Sequence, residues 1–117
     1  TRDSAEVLFG EMGGGMLVLT EGSRGAVLFT EEETVSRPAW PVGTLVDTVG
    51  AGDTFHAAFL AFLYRHGELS GSMKGVSSET LESALEFASA AAAINVSQSG
   101  CSPPTADEVA RFISAAP

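Results

Sequence analysis

The chain has 117 residues, 44% of them hydrophobic, and a formal net charge of −9, which suits one globular domain or part of a larger one. The acidity argues against nucleic acid as a partner, because binding a phosphate backbone needs basic residues. Cys101 is the only cysteine, so we expect no internal disulfide and a reducing, cytoplasmic compartment, and the apolar runs are too short for a membrane partner to be expected.

Helices and short strands are predicted in chain order. Residues 1–9 are predicted to form a helix. Strands are predicted over residues 16–19, 26–29 and 34–37, and the first is a continuous apolar run, typical of a strand buried on both faces. Glu31 to Glu33 read as a solvated turn. Apolar spacing predicts further helices from residue 52 or 53 to 66, from 79 to 95 and from 105 or 106 to 115, and the second of these ends in an alanine-rich stretch.

The loop T-E-G-S-R-G, residues 20–25, separates the first two strands. On its own it fits a hairpin turn in which Gly22 and Gly25 take positive φ. It also fits a loop that contacts phosphate, with Arg24 as its only cation. The residues alone leave both interpretations open.

The most informative stretch is D-T-V-G-A-G-D-T-F-H-A-A-F-L, residues 47–60. Small residues before a helix let a ligand approach the backbone. The first helix amides lack intrahelical partners and lie at the positive end of the helix dipole, which makes an anion site. A carboxylate beside a bound anion is repelled by it, so Asp53 points to a proton acceptor beside a phosphate. The simpler interpretation makes Asp53 a helix N-cap.

The string D-T-x-G-A-G-D followed by a small, apolar helix resembles the second signature of the ribokinase-like (PfkB) carbohydrate kinases. The resemblance implies an α/β, three-layer fold with a mostly parallel sheet flanked by helices. Members of this family are substantially longer, so residues 1–117 would be the C-terminal portion of a single kinase domain. A homodimer would form through an N-terminal lid that lies outside this chain.

The resemblance also implies a role for each matching residue. Asp53 would be the catalytic base, and the amides of Gly50, Ala51 and Gly52 would form an anion hole for the phosphoryl group that passes from ATP, bound with Mg²⁺, to a sugar hydroxyl. The nucleotide would contact a larger set: Thr20, Glu21, Gly22, Ser23, Arg24 and Gly25, together with Gly52, Ser89 and Ala92, the last two as a wall of the adenine pocket.

A monovalent cation, K⁺ or similar, is implied beside the anion hole. Its candidate ligands are Asp47 and the backbone carbonyls of Val49, Asn95, Gln98 and Gly100. The family's N-x-x-E segment, which helps to organise magnesium, is altered here. Thr1 and Ser4 stand where the family has Asn and Glu, which puts a direct metal role there in doubt, and Glu6 is the only substitute nearby.

One segment is too short for the family. Only Glu11 to Gly15 lie between the first helix and the first strand, where the family has a further helix, and a parallel crossover needs about a dozen residues or more. We therefore expect either that the two flanking elements are not parallel neighbours, or that natural chain is missing between residues 10 and 15.

Other site classes fit less well. The turn at residues 50–55 lacks the third glycine of a dinucleotide fingerprint, and no P-loop sequence or Cys/His zinc cluster exists. His56 and His66 are interpreted as structural, and Cys101 has no base partner. The second hypothesis is a non-catalytic nucleotide-binding α/β domain. Within the kinase hypothesis the acceptor stays open between a fructokinase-like or ribokinase-like sugar and a nucleoside or other small alcohol.

Overall fold

The computed structural model describes residues 2–13, 15–40, 50–66, 76–96 and 104–115. These residues form four helices and three strands. In chain order the elements are α1 (Arg2–Met12), β1 (Met16–Thr20), β2 (Ala26–Thr30), β3 (Thr34–Arg37), α2 (Ala51–Arg65), α3 (Ser78–Val96) and α4 (Ala106–Ala115). No helix in these ranges has the length and apolar character needed to cross a membrane. The predictions for Gly67, Cys101 and the loops at 70–75 and 97–103 fall outside the described residues.

The three strands form an antiparallel sheet in the order β1-β2-β3. Short loops, residues 21–25 and 31–33, connect them, and short loops allow only antiparallel pairing. In the second loop the Thr30 hydroxyl accepts hydrogen bonds from the amides of Glu32 and Glu33, and Glu31 and Glu32 are exposed, as predicted. The mostly parallel sheet expected from the resemblance is therefore not what the described strands form: both of their pairings are antiparallel.

Helices cover both faces of this sheet, which gives three layers. On one face, Val27 and Phe29 of β2 pack against Ala5 and Phe9 of α1, and the rings of Phe9 and Phe29 stack at 6.1 Å. The alternate strand residues, among them Leu28, face α2 and α3. Since β2 is covered on both sides, its apolar residues are all buried.

The prediction that the first strand is buried on both faces is wrong in one respect. Met16 to Leu19 are only half-buried, because β1 pairs with β2 alone among the described strands and so lies at the edge of their sheet. The fully buried strand is β2, which is also a continuous apolar run. Burial thus follows from position in the sheet, which the two similar runs do not reveal.

The main core lies between the sheet, α2 and α3. Phe55, Phe59 and Leu63 form a buried stripe at helical spacing on α2. They meet a stripe of α3 that includes Leu81, Ala84, Leu85 and Ala88. Fully burying one such leucine or phenylalanine contributes about 1.5–3 kcal/mol. The small alanines let the two helices lie close together, which fixes the start of α2 against the rest of the fold.

A capping box starts α4. The Thr105 hydroxyl accepts a hydrogen bond from the Glu108 amide at 3.2 Å, and the Glu108 carboxylate accepts one from the Thr105 amide at 3.1 Å. This reciprocal pair satisfies two amides that the helix leaves free. These hydrogen bonds from Thr105 lower the pKa of Glu108, and nearby Arg111 adds to the effect.

Replacing Glu108 with Gln is expected to lower stability at neutral pH and to matter little in acid. A pKa lowered on folding stabilises the fold above the unfolded-state pKa and loses that contribution as the pH falls through the folded-state value. The melting temperatures of wild type and Glu108→Gln should differ at about pH 7 and converge at about pH 3. A difference that persists unchanged in acid would mean that the carboxylate charge does not stabilise the cap.

The segment between α1 and β1 bears on the missing-chain prediction. The helix predicted for residues 1–9 continues through Gly10 to Met12, and Gly13 and Gly15 then take positive φ before β1 begins. Gly14 lies outside the described residues. That natural chain is missing between residues 10 and 15 therefore stays a prediction.

Candidate functional site

The candidate site is built around the start of α2. Gly50 precedes the helix in a left-handed conformation, with φ 80° and ψ 0°, which glycine adopts without steric cost. The Thr54 amide donates to the Gly50 carbonyl at 2.8 Å and closes the first turn. The preceding amides, of Ala51, Gly52 and Asp53, come before the first intrahelical bond and have no partner within the helix. The three predicted anion-hole residues thus lie at one helix end.

Asp53 is the third residue of α2, not its cap. The helix was predicted to begin at residue 52 or 53, but it begins at Ala51, and Gly50 is the cap, without a side-chain capping bond. The N-cap interpretation of Asp53 is therefore wrong. Asp53 is exposed, and within the described ranges its carboxylate makes no hydrogen bond or ion pair. This leaves the carboxylate able to accept a proton from a molecule bound at the helix end.

The loop at residues 20–25 is a closed hairpin turn. Residues Gly22–Arg24 form a short 3₁₀ turn between β1 and β2. The Glu21 amide donates to the Gly25 carbonyl at 2.7 Å, and the Gly25 amide to the Gly22 carbonyl at 3.1 Å. Gly22 and Gly25 have φ of 58° and 104°, so the predicted positive φ at both glycines is confirmed. Thr20 and Arg24 are exposed, so the geometry also leaves the nucleotide interpretation open.

Ser89 and Ala92 lie one turn apart on α3, and both are half-buried. The Ser89 hydroxyl accepts a hydrogen bond from the Trp40 amide at 3.0 Å. Ala92 packs against the main core. Their role as a wall of an adenine pocket remains a prediction, and the structure adds that Ser89 already binds the segment that follows β3.

The predicted cation ligands are only partly described. Asn95 is fully buried in the last turn of α3, whereas Asp47, Val49, Gln98 and Gly100 lie outside the described residues. For magnesium, Ser4 and Glu6 are exposed on α1, the helix on the opposite face of the sheet from α2. The described part of the chain holds no group of three or more His, Cys, Asp or Glu that could bind a metal. The residues present therefore fit a magnesium ion that arrives with the nucleotide.

The two histidines differ in their surroundings. His66 ends α2, where its Nδ1 lies 2.9 Å from the Phe62 carbonyl and its ring stacks on the Phe62 ring at 4.1 Å. These contacts support the structural role predicted for His66. His56 is exposed on α2, and its ring meets the edge of the neighbouring Phe55 ring at 5.8 Å.

Three contacts near the site were not predicted from the sequence. Arg37 forms an ion pair with Glu86, the Trp40 amide binds Ser89, and Gly25 packs against the backbone of Arg37 and Pro38. The first two join residues 49 positions apart, beyond the reach of any local pattern. The third could have been suspected only from the glycine itself, because a glycine often marks a close backbone approach.

Comparison with known proteins gives the site its context. An ATP-dependent ribose-1-phosphate kinase from Halopiger xanaduensis is 36% identical over 100 residues, which cover 85% of this chain and 29% of that protein. The structure of Arabidopsis thaliana ribokinase complexed with ribose and ATP matches with a TM-score of 0.77 at 30% identity, over 97% of this chain and 34% of that one. An E. coli putative ribokinase II in complex with ATP and Mg²⁺ matches with a TM-score of 0.75 at 28% identity, over 97% and 33%.

These matches confirm the ribokinase-like fold, and the chain spans about a third of the length of the relatives it matches. The model of the pfkB family carbohydrate kinases matches residues 1–108. That range contains the hairpin loop, the start of α2 and the alanine-rich helix α3. The chain therefore belongs to the pfkB family of carbohydrate kinases.

Proposed function

We propose that the intact protein transfers the γ-phosphoryl group of ATP to a hydroxyl group of a small sugar, with Asp53 as the general base. The observation that carries this proposal is the position of Asp53. Its exposed carboxylate is the third residue of α2, next to helix amides that have no partner within the helix. An anion-binding turn that only holds phosphate gains nothing from a carboxylate beside it, because the two charges repel each other.

The proposed step needs a proton acceptor and a place for negative charge. The acceptor oxygen attacks the γ-phosphorus, the bond from that phosphorus to the bridging oxygen breaks, and ADP leaves. Asp53 takes the hydroxyl proton. The amides of Gly50, Ala51 and Gly52 stabilise the charge on the phosphoryl oxygens. Magnesium bound with ATP neutralises charge on the phosphates.

The nucleotide is proposed to lie between the hairpin loop and α3. Thr20 to Gly25 would contact the phosphates and ribose, and Ser89 and Ala92 would line the adenine. Support comes from the exposure of Thr20 and Arg24 in the loop and from the likeness to kinases whose structures contain ATP. Arg24 would supply the only positive side chain of the loop.

The acceptor is tested by ADP formation. The intact protein, with ATP and Mg²⁺, should release ADP faster when a suitable acceptor is added from a set that contains ribose, fructose and several nucleosides. A sugar that stimulates release supports the proposal, and a nucleoside that does so alone would move the protein to the nucleoside-phosphorylating members of the family. ATP binding without acceptor-dependent ADP release would favour the non-catalytic alternative.

We also propose that turnover depends on K⁺ or a similar monovalent cation. The ion would be held by Asp47 and the carbonyls of Val49, Asn95, Gln98 and Gly100, beside the anion hole. The complete burial of Asn95 supports a rigid end of α3 on which such a site could be built. Turnover should rise when K⁺ is added to a buffer free of Na⁺ and K⁺, and equal turnover with and without K⁺ would contradict the idea.

For compartment and partners we propose a cytoplasmic enzyme that acts on small molecules. The net charge of −9 disfavours nucleic acid, and a single cysteine suits a reducing environment. A homodimer would form through a lid outside this chain. Sedimentation of the intact protein tests the dimer, and a monomer would contradict it.

A further inference from the structure

The segment that follows β3 joins the two parts of the proposed nucleotide site. We call residues 37–40 the connector. A Cβ atom on Gly25, the last residue of the hairpin loop, would lie 2.1 Å from the Arg37 carbonyl oxygen and 2.8 Å from the backbone of Pro38. The loop therefore rests directly on the connector backbone, and a shift of the connector must shift the loop.

The other side of the connector is fixed to α3 at two points. The Arg37 guanidinium donates to the Glu86 carboxylate at 2.7 Å, with the two side chains 37% and 35% exposed. The Trp40 amide donates to the Ser89 hydroxyl at 3.0 Å. Glu86 and Ser89 are three residues apart, so they lie on one face of the helix. The Trp40 ring also packs against Phe112 of α4 at 5.5 Å.

We propose that Arg37 and Glu86 are positioning residues for ATP. Their ion pair holds the connector on α3, and the connector holds the hairpin loop at a fixed distance from Ser89 and Ala92. This inference rests on the proposed function, because it takes the loop and α3 as the two parts of the nucleotide site. A site that is assembled before the ligand arrives binds more tightly, since less ordering remains to be done on binding.

The exposure of the pair separates this role from a purely structural one. An ion pair that is about one-third exposed contributes little to global stability. Its loss should therefore appear in the affinity for ATP and leave the fold intact. The affinity for the acceptor should not change, because neither the connector nor its two contacts with α3 carry the proposed base or anion hole.

A charge swap tests the pair in the intact enzyme. Arg37→Glu and Glu86→Arg each place like charges together, and we expect each to raise the Kd and KM for ATP about fivefold. The kcat and the KM for the acceptor should stay within about twofold of wild type. The double variant restores opposite charges and should return the Kd for ATP to within about twofold of wild type, as expected for directly coupled residues.

Glu82→Arg serves as the control variant. Glu82 lies one turn earlier on α3, is exposed, and forms no ion pair among the described residues. It undergoes the same charge change as Glu86→Arg, and its Kd for ATP should stay within about twofold of wild type. If a reversed charge prevents folding, Arg37→Gln and Glu86→Gln remove the pair without repulsion and should weaken ATP binding by about threefold.

Two outcomes would overturn the proposal. One is single variants that bind ATP as tightly as wild type, and the other is a swapped variant that binds as weakly as either single variant. The Kd for ATP is measured by direct titration, without an acceptor. A wild type that binds ATP but transfers no phosphate therefore contradicts the proposed function, while the swap still decides the role of Arg37 and Glu86.

Discussion

Replacing Asp53 with Asn is expected to abolish most turnover while ATP binding persists. The carboxamide is nearly isosteric with the carboxylate but cannot take up the hydroxyl proton. General-base catalysis contributes roughly 10²–10⁴-fold to a rate, so the activation free energy should rise by about 3–5 kcal/mol. Affinity for ATP should hold or rise slightly, because a negative charge beside the phosphates has been removed.

The fold should tolerate this change. Asp53 is exposed, and Gly50 rather than Asp53 caps α2, so the variant loses no capping bond. The kcat and the Kd for ATP are measured in the full-length enzyme, with thermal unfolding as the check on folding. Turnover within about threefold of wild type would be far smaller than the loss of a general base, and it would reject Asp53 as the base.

Replacing Gly25 with Ala is expected to be among the most damaging single changes in the chain. Gly25 has φ 104° and ψ −144°, a region almost confined to glycine, where another residue costs about 1–3 kcal/mol. The added Cβ would also lie 2.1 Å from the Arg37 carbonyl oxygen, so the connector must move. We expect a loss of about 3 kcal/mol or more in the free energy of unfolding, together with weakened ATP binding.

Gly22→Ala is the matched control in the same loop. Gly22 also has positive φ, 58°, but nothing lies within 4 Å of an added Cβ. Its cost should be about 1–2 kcal/mol, from the left-handed backbone alone. Chemical denaturation of both variants measures the difference. Equal losses at the two positions would show that the close approach of Gly25 to the connector contributes nothing to stability.

The helices could be predicted well because their signals are local. The spacing of Phe55, Phe59 and Leu63 predicts the buried face of α2, and Thr105 with Glu108 predicts the start of α4. These features depend on residues within a few positions of one another. Helix ends were less secure, and at α2 a shift of two residues decided whether Asp53 was a cap or the third helical residue.

Features that depend on distant residues could not be predicted. The apolar runs of β1 and β2 are alike in sequence, yet only β2 has a neighbour on both sides within the described sheet. The pairing of Arg37 with Glu86 joins a strand to a helix 49 residues away, and charged residues are common on exposed surfaces. The signature at residues 47–53 was different, because a long and specific string indicated the family without any knowledge of distant contacts.

The most direct test of the central claim is to follow the γ-phosphoryl group itself. The intact protein and its Asp53→Asn variant are each mixed, in excess, with γ-labelled ATP, Mg²⁺ and the acceptor that stimulates ADP release. The account predicts that wild type moves the label onto the acceptor hydroxyl, whereas the variant binds the labelled ATP and leaves it unreacted. Label that reaches the acceptor equally fast in both proteins would contradict it, and so would label that wild type releases only as inorganic phosphate.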